Sequence, residues 1–206
     1  MFFSFDGLDG VGKSTQMSLF ERWLGELGYD VVHCVDPGST PLGESIREIL
    51  LGGRLAISRT AEMLLFMAAR AQLVEEIIRP ALEQHKVVVS DRYVLANIVY
   101  QGHAGGLGAD AVRRIGEVAT RGVSPDMVFL LDMPPDAAAE RINRDRDRME
   151  RQGDDFNRRL REGFLAEAAS DPTRIKLIDA AKTVDEVQAE IRAVAQTVMS
   201  AKALEK

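Results

Sequence analysis

A phosphate-binding loop stands near the start of the chain. Gly7, Gly12, Lys13 and Ser14 in the stretch GLDGVGKST fit the pattern G-x-x-x-x-G-K-[ST]. In such a loop, backbone N–H groups surround a triphosphate, the lysine reaches its outer phosphates, and the hydroxyl serves magnesium. The loop follows an apolar segment and opens an amphipathic one, the context that the motif requires. The predicted nucleotide-binding set comprises Gly7, Asp9, Gly10, Val11, Gly12, Lys13, Ser14 and Thr15.

A second acidic position supports this chemistry. Asp91 follows three valines and a serine, so it falls at the end of a predicted strand, where a carboxylate can hold Mg²⁺ directly or through water. Asp91 could also serve as a helix N-cap, a role compatible with the first. Arg92 beside it can place a fixed positive charge between donor and acceptor phosphates; a surface arginine is the alternative. The predicted metal ligands are therefore Ser14 and Asp91.

A basic segment lies further along the chain, in ERINRDRDRMERQGDDFNRR. A run of charge is usually a solvated face. Phosphoryl transfer, however, needs positive charge at the transferring group, and an arginine-rich lid over about residues 142–153 can deliver it while excluding water. The candidates for this role are Arg141, Arg144, Arg146, Arg148 and Arg151.

Composition limits the remaining classes of function. The 206 residues are 46% hydrophobic, which suits one buried core, and the net charge of −6 gives no positive field for a nucleic acid partner. Cys34 is the only cysteine, which excludes an internal disulfide and suits a reducing compartment. We also read no basic leader and no membrane-spanning apolar run. We therefore expect a cytoplasmic protein without nucleic acid or membrane partners.

The elements that must position these residues alternate between strand and helix patterns. Short runs rich in Val, Ile and Phe predict strands at 2–5, 30–35, 87–90, 127–132 and 176–178. The intervening helical periodicity is typical of an α/β fold with a parallel sheet. Thr60 is the expected cap of one long helix running to about His85, Pro134 and Pro135 should open a shorter helix, and a final helix should span about 183–199. Gly102 to Gly108 is interpreted as a loop.

Three classes of protein share a phosphate loop of this kind. A regulatory GTPase needs an Asn-Lys-x-Asp motif to read guanine, and none of the three asparagines is followed by lysine. An ATP-driven scaffold needs only the nucleotide site. A kinase needs a second pocket with arginines and an aromatic surface, and the chain offers Arg47, Phe66, Arg70 and Tyr100 for it.

Five stretches together resemble the bacterial thymidylate kinase family. They are, in order, GLDGVGKST, DPGSTPLGESIREIL, EMLLFMAARAQLVEEIIRPAL, DRYVLANIVYQG and LLDMPPDAAAERI. The resemblance covers essentially the whole chain and implies one P-loop kinase domain over 1–206. It also implies a three-layer P-loop NTPase fold with a five-stranded parallel sheet flanked by helices, usually as a homodimer. The implied reaction moves the γ-phosphoryl of ATP onto dTMP with Mg²⁺; a kinase for another nucleotide on the same fold is the alternative.

The resemblance also implies roles for individual residues. Phe66 would stack on thymine and Arg70 would hydrogen-bond its edge, with help from Asn97 and Gln101. Tyr100 would crowd the second carbon of the sugar. The implied dTMP-binding set comprises Asp9, Asp36, Arg47, Phe66, Arg70, Arg92, Asn97, Tyr100 and Gln101. The implied catalytic set comprises Lys13, Asp9, Arg92, Arg144 and Arg148.

The chain departs from the family pattern in two places; one is Asn97, which stands where many relatives carry serine. Where bacterial relatives commonly read R-E-P-G-G-T, this chain reads VDPGST, so that Val35 replaces an arginine, Asp36 a glutamate and Ser39 a glycine. The lost arginine removes one charge or support near the acceptor. Asp36 keeps a carboxylate but is one methylene shorter, which predicts a looser hold on magnesium or on a nearby arginine.

Overall fold

The computed structural model describes residues 1–52, 55–142 and 153–204. Its centre is a five-stranded parallel sheet with the strand order β2-β3-β1-β4-β5. The strands are β1 (Phe2–Asp6), β2 (Val31–Val35), β3 (Val87–Asp91), β4 (Met127–Asp132) and β5 (Ile175–Asp179). Each lies within one residue of the predicted strand. The predicted α/β class and parallel sheet are confirmed.

Helices connect the strands. They are α1 (Lys13–Glu26), α2 (Pro41–Leu51), α3 (Arg59–Leu73), α4 (Arg79–Glu83), α5 (Val94–Asn97), α6 (Ala109–Thr120), α7 (Pro135–Glu140), α8 (Asp154–Ser170) and α9 (Val184–Leu204). In the part of the chain that the structure describes, two π-helical segments, Val74–Ile78 and Ile98–Ala104, interrupt this series. Pro135 begins α7 as predicted.

The sheet is buried on both faces because parallel strands need helices on each side. On one face, Phe3 and Phe5 pack against Phe20 of α1 and Phe129 of β4, with ring centroids 5.1–5.8 Å apart. On the other, Cys34 is fully buried within a second apolar cluster, as expected for a core cysteine. This packing holds the carboxyl ends of β1 and β3 side by side, with Phe5 paired to Asp91.

The predicted helix over 60–85 was wrong in two details. Ser58, rather than Thr60, is the N-cap, and its side chain accepts from the Ala61 N–H at 3.3 Å. The helical run is also divided by the π-helical segment Val74–Ile78. Pro80 has no N–H for an α-helical bond to the preceding turn, which accounts for a change of helical register there.

The loop predicted from Gly102 to Gly108 was also wrong in part. Helical structure continues through Ala104, in the π-helical segment Ile98–Ala104. Gly102 is needed for close packing, because a Cβ there would lie 2.9 Å from the Cα of Ala109. Glycine at this position therefore allows a close contact between helical segments and does not indicate a turn.

Candidate active site

A cavity of about 780 Å³ opens at the carboxyl ends of β1, β2 and β3. Its lining includes the side of the phosphate loop from Asp9 to Thr15 and residues from α2, α3, β3 and the segment after it. Every predicted site residue in the described part of the chain lines the cavity, with the exception of Gly7. The predicted lid residues Arg144 and Arg148 lie outside the described residues.

The phosphate loop connects β1 to α1 with three glycines at positive φ. A Cβ on Gly7 would lie 2.3 Å from the Leu131 carbonyl oxygen, and one on Gly10 would lie 2.1 Å from that of Ala138. Gly12 is the left-handed N-cap of α1, and no described side chain caps that helix. Its first N–H groups therefore face the loop, an arrangement that binds phosphate.

Lys13 is held under the loop. Its ammonium donates to the Leu8 carbonyl at 2.7 Å and to the Gly7 carbonyl at 3.3 Å, and the side chain is largely buried. Burial lowers the pKa of Lys13, and the nearby Arg92 lowers it further. Polyphosphate oxygens would reverse this effect, because they add the negative charge that a buried ammonium lacks.

Asp9 in the phosphate loop is balanced by two cations. Arg92 donates to its Oδ1 at 2.7 Å, and the Lys13 ammonium lies 3.5 Å from the same atom. Burial alone would raise the pKa of Asp9, but Arg92 and Lys13 outweigh burial and hold that pKa well below its usual value. Arg92 also donates to the Gly7 carbonyl at 3.0 Å, so one guanidinium joins β3 to the loop.

Carboxylates with unused oxygens lie behind the loop. Within residues 1–52, 55–142 and 153–204, Asp91 Oδ1 and both carboxylate oxygens of Asp6 are buried without a hydrogen-bond partner. Ser14, in the first turn of α1, is exposed and lines the same cavity as Asp91. One or two carboxylates, a hydroxyl and substrate phosphates form the donor set that Mg²⁺ prefers.

Burial raises the pKa of Asp6 to about 7. Sequence reasoning did not identify Asp6.

On the other side of the cavity, Asp36 and Arg70 form a buried ion pair. The Arg70 Nε donates to Asp36 Oδ2 at 2.5 Å, and both side chains are almost fully buried. Arg70 also donates to Met67 Sδ and to the Tyr93 carbonyl, each at 3.2 Å. Each of these three contacts uses one N–H group, whereas a guanidinium has about five N–H donors. The shorter Asp36 side chain therefore still reaches a nearby arginine, so the looser hold on an arginine that the sequence predicted is not seen.

Ser39 occupies a backbone conformation that favours glycine, with φ 64°. Its N–H donates to Glu44 Oε1 and its hydroxyl accepts from the Val35 N–H, both at 2.8 Å. These two bonds support the turn at the position where the family resemblance predicts glycine. Arg47 of α2 donates to the Pro37 carbonyl at 2.7 Å and so ties the same turn to the cavity wall.

Aromatic and amide side chains form the wall opposite the phosphate loop. Phe66 of α3 is half-buried and faces the cavity with Asn97, Tyr100 and Gln101. The ring of Tyr100 packs edge-on against α8 and lies 5.1 Å from the Arg92 guanidinium carbon. The structure brings these predicted residues together from α3, α5 and the following π-helical segment.

Sequence reasoning missed one end of the cavity. The β5–α9 connection and the first residue of α9 contribute Ala180, Lys182 and Val184 beside the phosphate loop. Gln16 of α1 donates to the Val184 carbonyl at 3.0 Å, which fixes this connection against the loop. No motif marks these residues, because they are far from the loop in sequence.

Comparisons with known proteins identify the family of the chain. The family model for thymidylate kinase matches residues 5–191. A thymidylate kinase of Symbiobacterium thermophilum is 43% identical over 201 residues, covering 97% of this chain and 94% of the relative. A thymidylate kinase of Bifidobacterium longum is 44% identical over 195 residues, covering 93% of this chain and 95% of that relative.

A solved structure extends the likeness to three dimensions. The crystal structure of thymidylate kinase from Ehrlichia chaffeensis superposes with a TM-score of 0.79 at 31% identity, covering 95% of this chain and 98% of that one. Among the described residues, no helix is long and apolar enough to cross a membrane. The match across most of the chain, in sequence and in fold, means that this protein belongs to the thymidylate kinase family.

Proposed function

We propose that the chain, an ATP-dependent dTMP kinase, transfers the γ-phosphoryl group of ATP to dTMP within the cavity described above, giving dTDP and ADP. One observation carries this placement: a single cavity joins the phosphate loop to Phe66, Arg70 and Asn97. A flat aromatic side chain fixes the plane of a base, and planar donors and amides read its edge. The β5–α9 connection then lies on the ATP side.

The donor phosphates bind the loop amides and Lys13. Ser14 and Asp91 would hold Mg²⁺, which supplies charge neutralisation between donor phosphates when bound. Arg92 lies beside the loop and can contact donor and acceptor phosphates, because guanidinium binds phosphate through two N–H groups. The acceptor phosphate oxygen is already anionic, so direct in-line transfer needs no strong general base.

On the acceptor side, Asp9 orients the sugar. A hydrogen bond from the 3′-hydroxyl to the Asp9 carboxylate would aim the acceptor phosphate at the γ-phosphate, a positioning effect. Arg47 supplies positive charge near that phosphate, and Tyr100 crowds the 2′ position against ribose. Arg144 and Arg148 are proposed as lid cations; by analogy with arginine fingers, they could contribute about 10³-fold or more.

We include a homodimer and a cytoplasmic location in this proposal. Leu42 and Ile49 of α2, Leu64 of α3 and Val118 of α6 are exposed by 40–78%, and α3 packs against both other helices. Exposed apolar side chains on neighbouring helices suit an interface with a second copy. Light scattering on the purified protein should give twice the chain mass, and Leu64→Asp should give a monomer.

The activity test is a coupled ADP-release assay with ATP, Mg²⁺ and each of dTMP, dUMP, dGMP and the ribose analogue of dTMP. The highest kcat/KM is expected with dTMP, with measurable dUMP turnover because one methyl group contributes only about 1–3 kcal/mol. The Lys13→Met variant, measured in parallel, identifies ADP released by contaminants. If no monophosphate stimulates ADP release by the wild-type protein, the proposal fails.

A further inference from the structure

Glu62 lies in the first turn of α3, behind the wall that is proposed to read the base. The carboxylate is 1% exposed and, within the described residues, does not contribute to the cavity lining. Its Oε1 accepts from Gln101 Nε2 at 2.8 Å, and the Arg59 guanidinium lies 3.6 Å from the same atom. A buried carboxylate is costly without such partners, so its position calls for an explanation.

A line of hydrogen bonds leads from Glu62 to the cavity. A carboxylate can only accept, so the Gln101 side chain must turn its NH₂ group toward Glu62. The Gln101 Oε1 then faces Asn97 and accepts from its Nδ2 at 2.7 Å. Both amides are almost fully buried. The direction of the first bond therefore determines the direction of the second.

The end of this line is an unused acceptor. Asn97 lines the cavity, and its Oδ1 is buried without a partner in the part of the chain that the structure describes. A buried acceptor without a donor is unfavourable, and a ligand in the cavity can supply that donor. The ring N3–H of thymine and uracil is such a donor, whereas the N3 of cytosine is an acceptor.

We infer that Glu62 is a positioning residue for base selection: it fixes the polarity of the Gln101 and Asn97 amides so that the cavity accepts a base with a ring N–H. This inference rests on the proposed function, which places the base of dTMP beside Asn97. Replacing Glu62 with glutamine removes the constraint, because an amide can donate as well as accept. Both downstream amides can then turn over, and Asn97 can present its NH₂ group.

The test compares kcat/KM for dTMP, dUMP and dCMP in the wild-type protein and in Glu62→Gln. For dTMP and dUMP, kcat/KM should fall together by about 10- to 100-fold, because both lose the same hydrogen bond. The value for dCMP should stay unchanged or rise. The preference for dTMP over dCMP should therefore drop by at least about 10-fold, while the ratio of dTMP to dUMP stays constant.

Glu167→Gln is the matched control. Glu167 is also a buried glutamate and accepts from Arg113 at 2.9 and 3.1 Å, but it lies outside the cavity. This control should keep the wild-type preference. If Glu62→Gln does not fold, Gln101→Met interrupts the same line at its centre and should lower the preference.

The outcomes separate the inference from the proposed function. Equal losses for all three monophosphates in a folded Glu62→Gln variant would show a purely structural role and overturn the inference. An unchanged preference in Gln101→Met would overturn it as well. A wild-type protein that does not phosphorylate dTMP would instead overturn the proposed function.

Discussion

The buried pair of Asp36 and Arg70 gives a prediction whose magnitude follows from its geometry. The two side chains meet at 2.5 Å with almost no exposure to water. Removing Arg70 leaves the Asp36 carboxylate buried without its cation, which typically destabilises a protein by about 3–5 kcal/mol. We therefore expect Arg70→Met to lower the free energy of unfolding by about that amount at pH 7.5. Because Asp36→Asn leaves the guanidinium unpaired, it should also be costly.

The double variant should recover part of the loss. With both charges gone, neither group is buried unpaired, so Arg70→Met combined with Asp36→Asn should be destabilised by less than the sum of the two single changes. A coupling of about 2–4 kcal/mol is expected, close to the attraction of about 4 kcal/mol between unit charges 4 Å apart at an effective dielectric of 20. Urea unfolding of all four proteins at one protein concentration measures this coupling.

The dependence of the loss on pH tests the cause. Burial raises the pKa of Asp36, and Arg70 opposes that rise. Without Arg70, the folded-state pKa of Asp36 rises further above its unfolded value. As the pH falls, Asp36 therefore becomes protonated in the folded variant, and the variant becomes more stable relative to the wild-type protein. The loss in Arg70→Met should therefore be smaller at pH 5 than at pH 7.5. Additive single changes, within about 0.5 kcal/mol, together with equal losses at both pH values would refute this reasoning.

Three further predictions concern the phosphate loop and the core. Gly10→Ala should lose most activity and about 2 kcal/mol or more of stability, measured by ADP release and urea unfolding, because its Cβ would meet the Ala138 carbonyl at 2.1 Å in a left-handed backbone. Asp6 has a folded-state pKa of about 7, above its usual value of 3.8, so its contribution to stability falls as the pH rises from about 4 to 7. Asp6→Asn should remove this slope in urea titrations at each pH, and an unchanged slope would contradict the assignment. Cys34 is fully buried, and burial raises the pKa of its thiol to about 12. A disulfide reagent should therefore label it only after denaturation, as counted by thiol release.

Much of the phosphate site could be predicted from the sequence, because its signals are short-range. The spacing of Gly7, Gly12 and Lys13 is set by the loop itself, and the apolar runs on either side identify a strand and a helix. The three buried valines of β3 similarly identify Asp91 as the residue at the end of a strand. These features depend on neighbours within a few residues, so a linear pattern is sufficient to reveal them.

The tertiary structure decided which distant groups meet. Arg70 pairs with Asp36 across 34 positions, and Gln101 meets Glu62 across 39. Packing between elements also determines which way a buried amide turns, why Ser58 caps its helix and why Gly102 lies in a helix. No local pattern encodes this packing. The sequence alone therefore determined the phosphate chemistry and the class of fold. The folded chain decided which side chains line the cavity and which atoms they present to it, because direction in a hydrogen bond is fixed by partners brought close only in three dimensions.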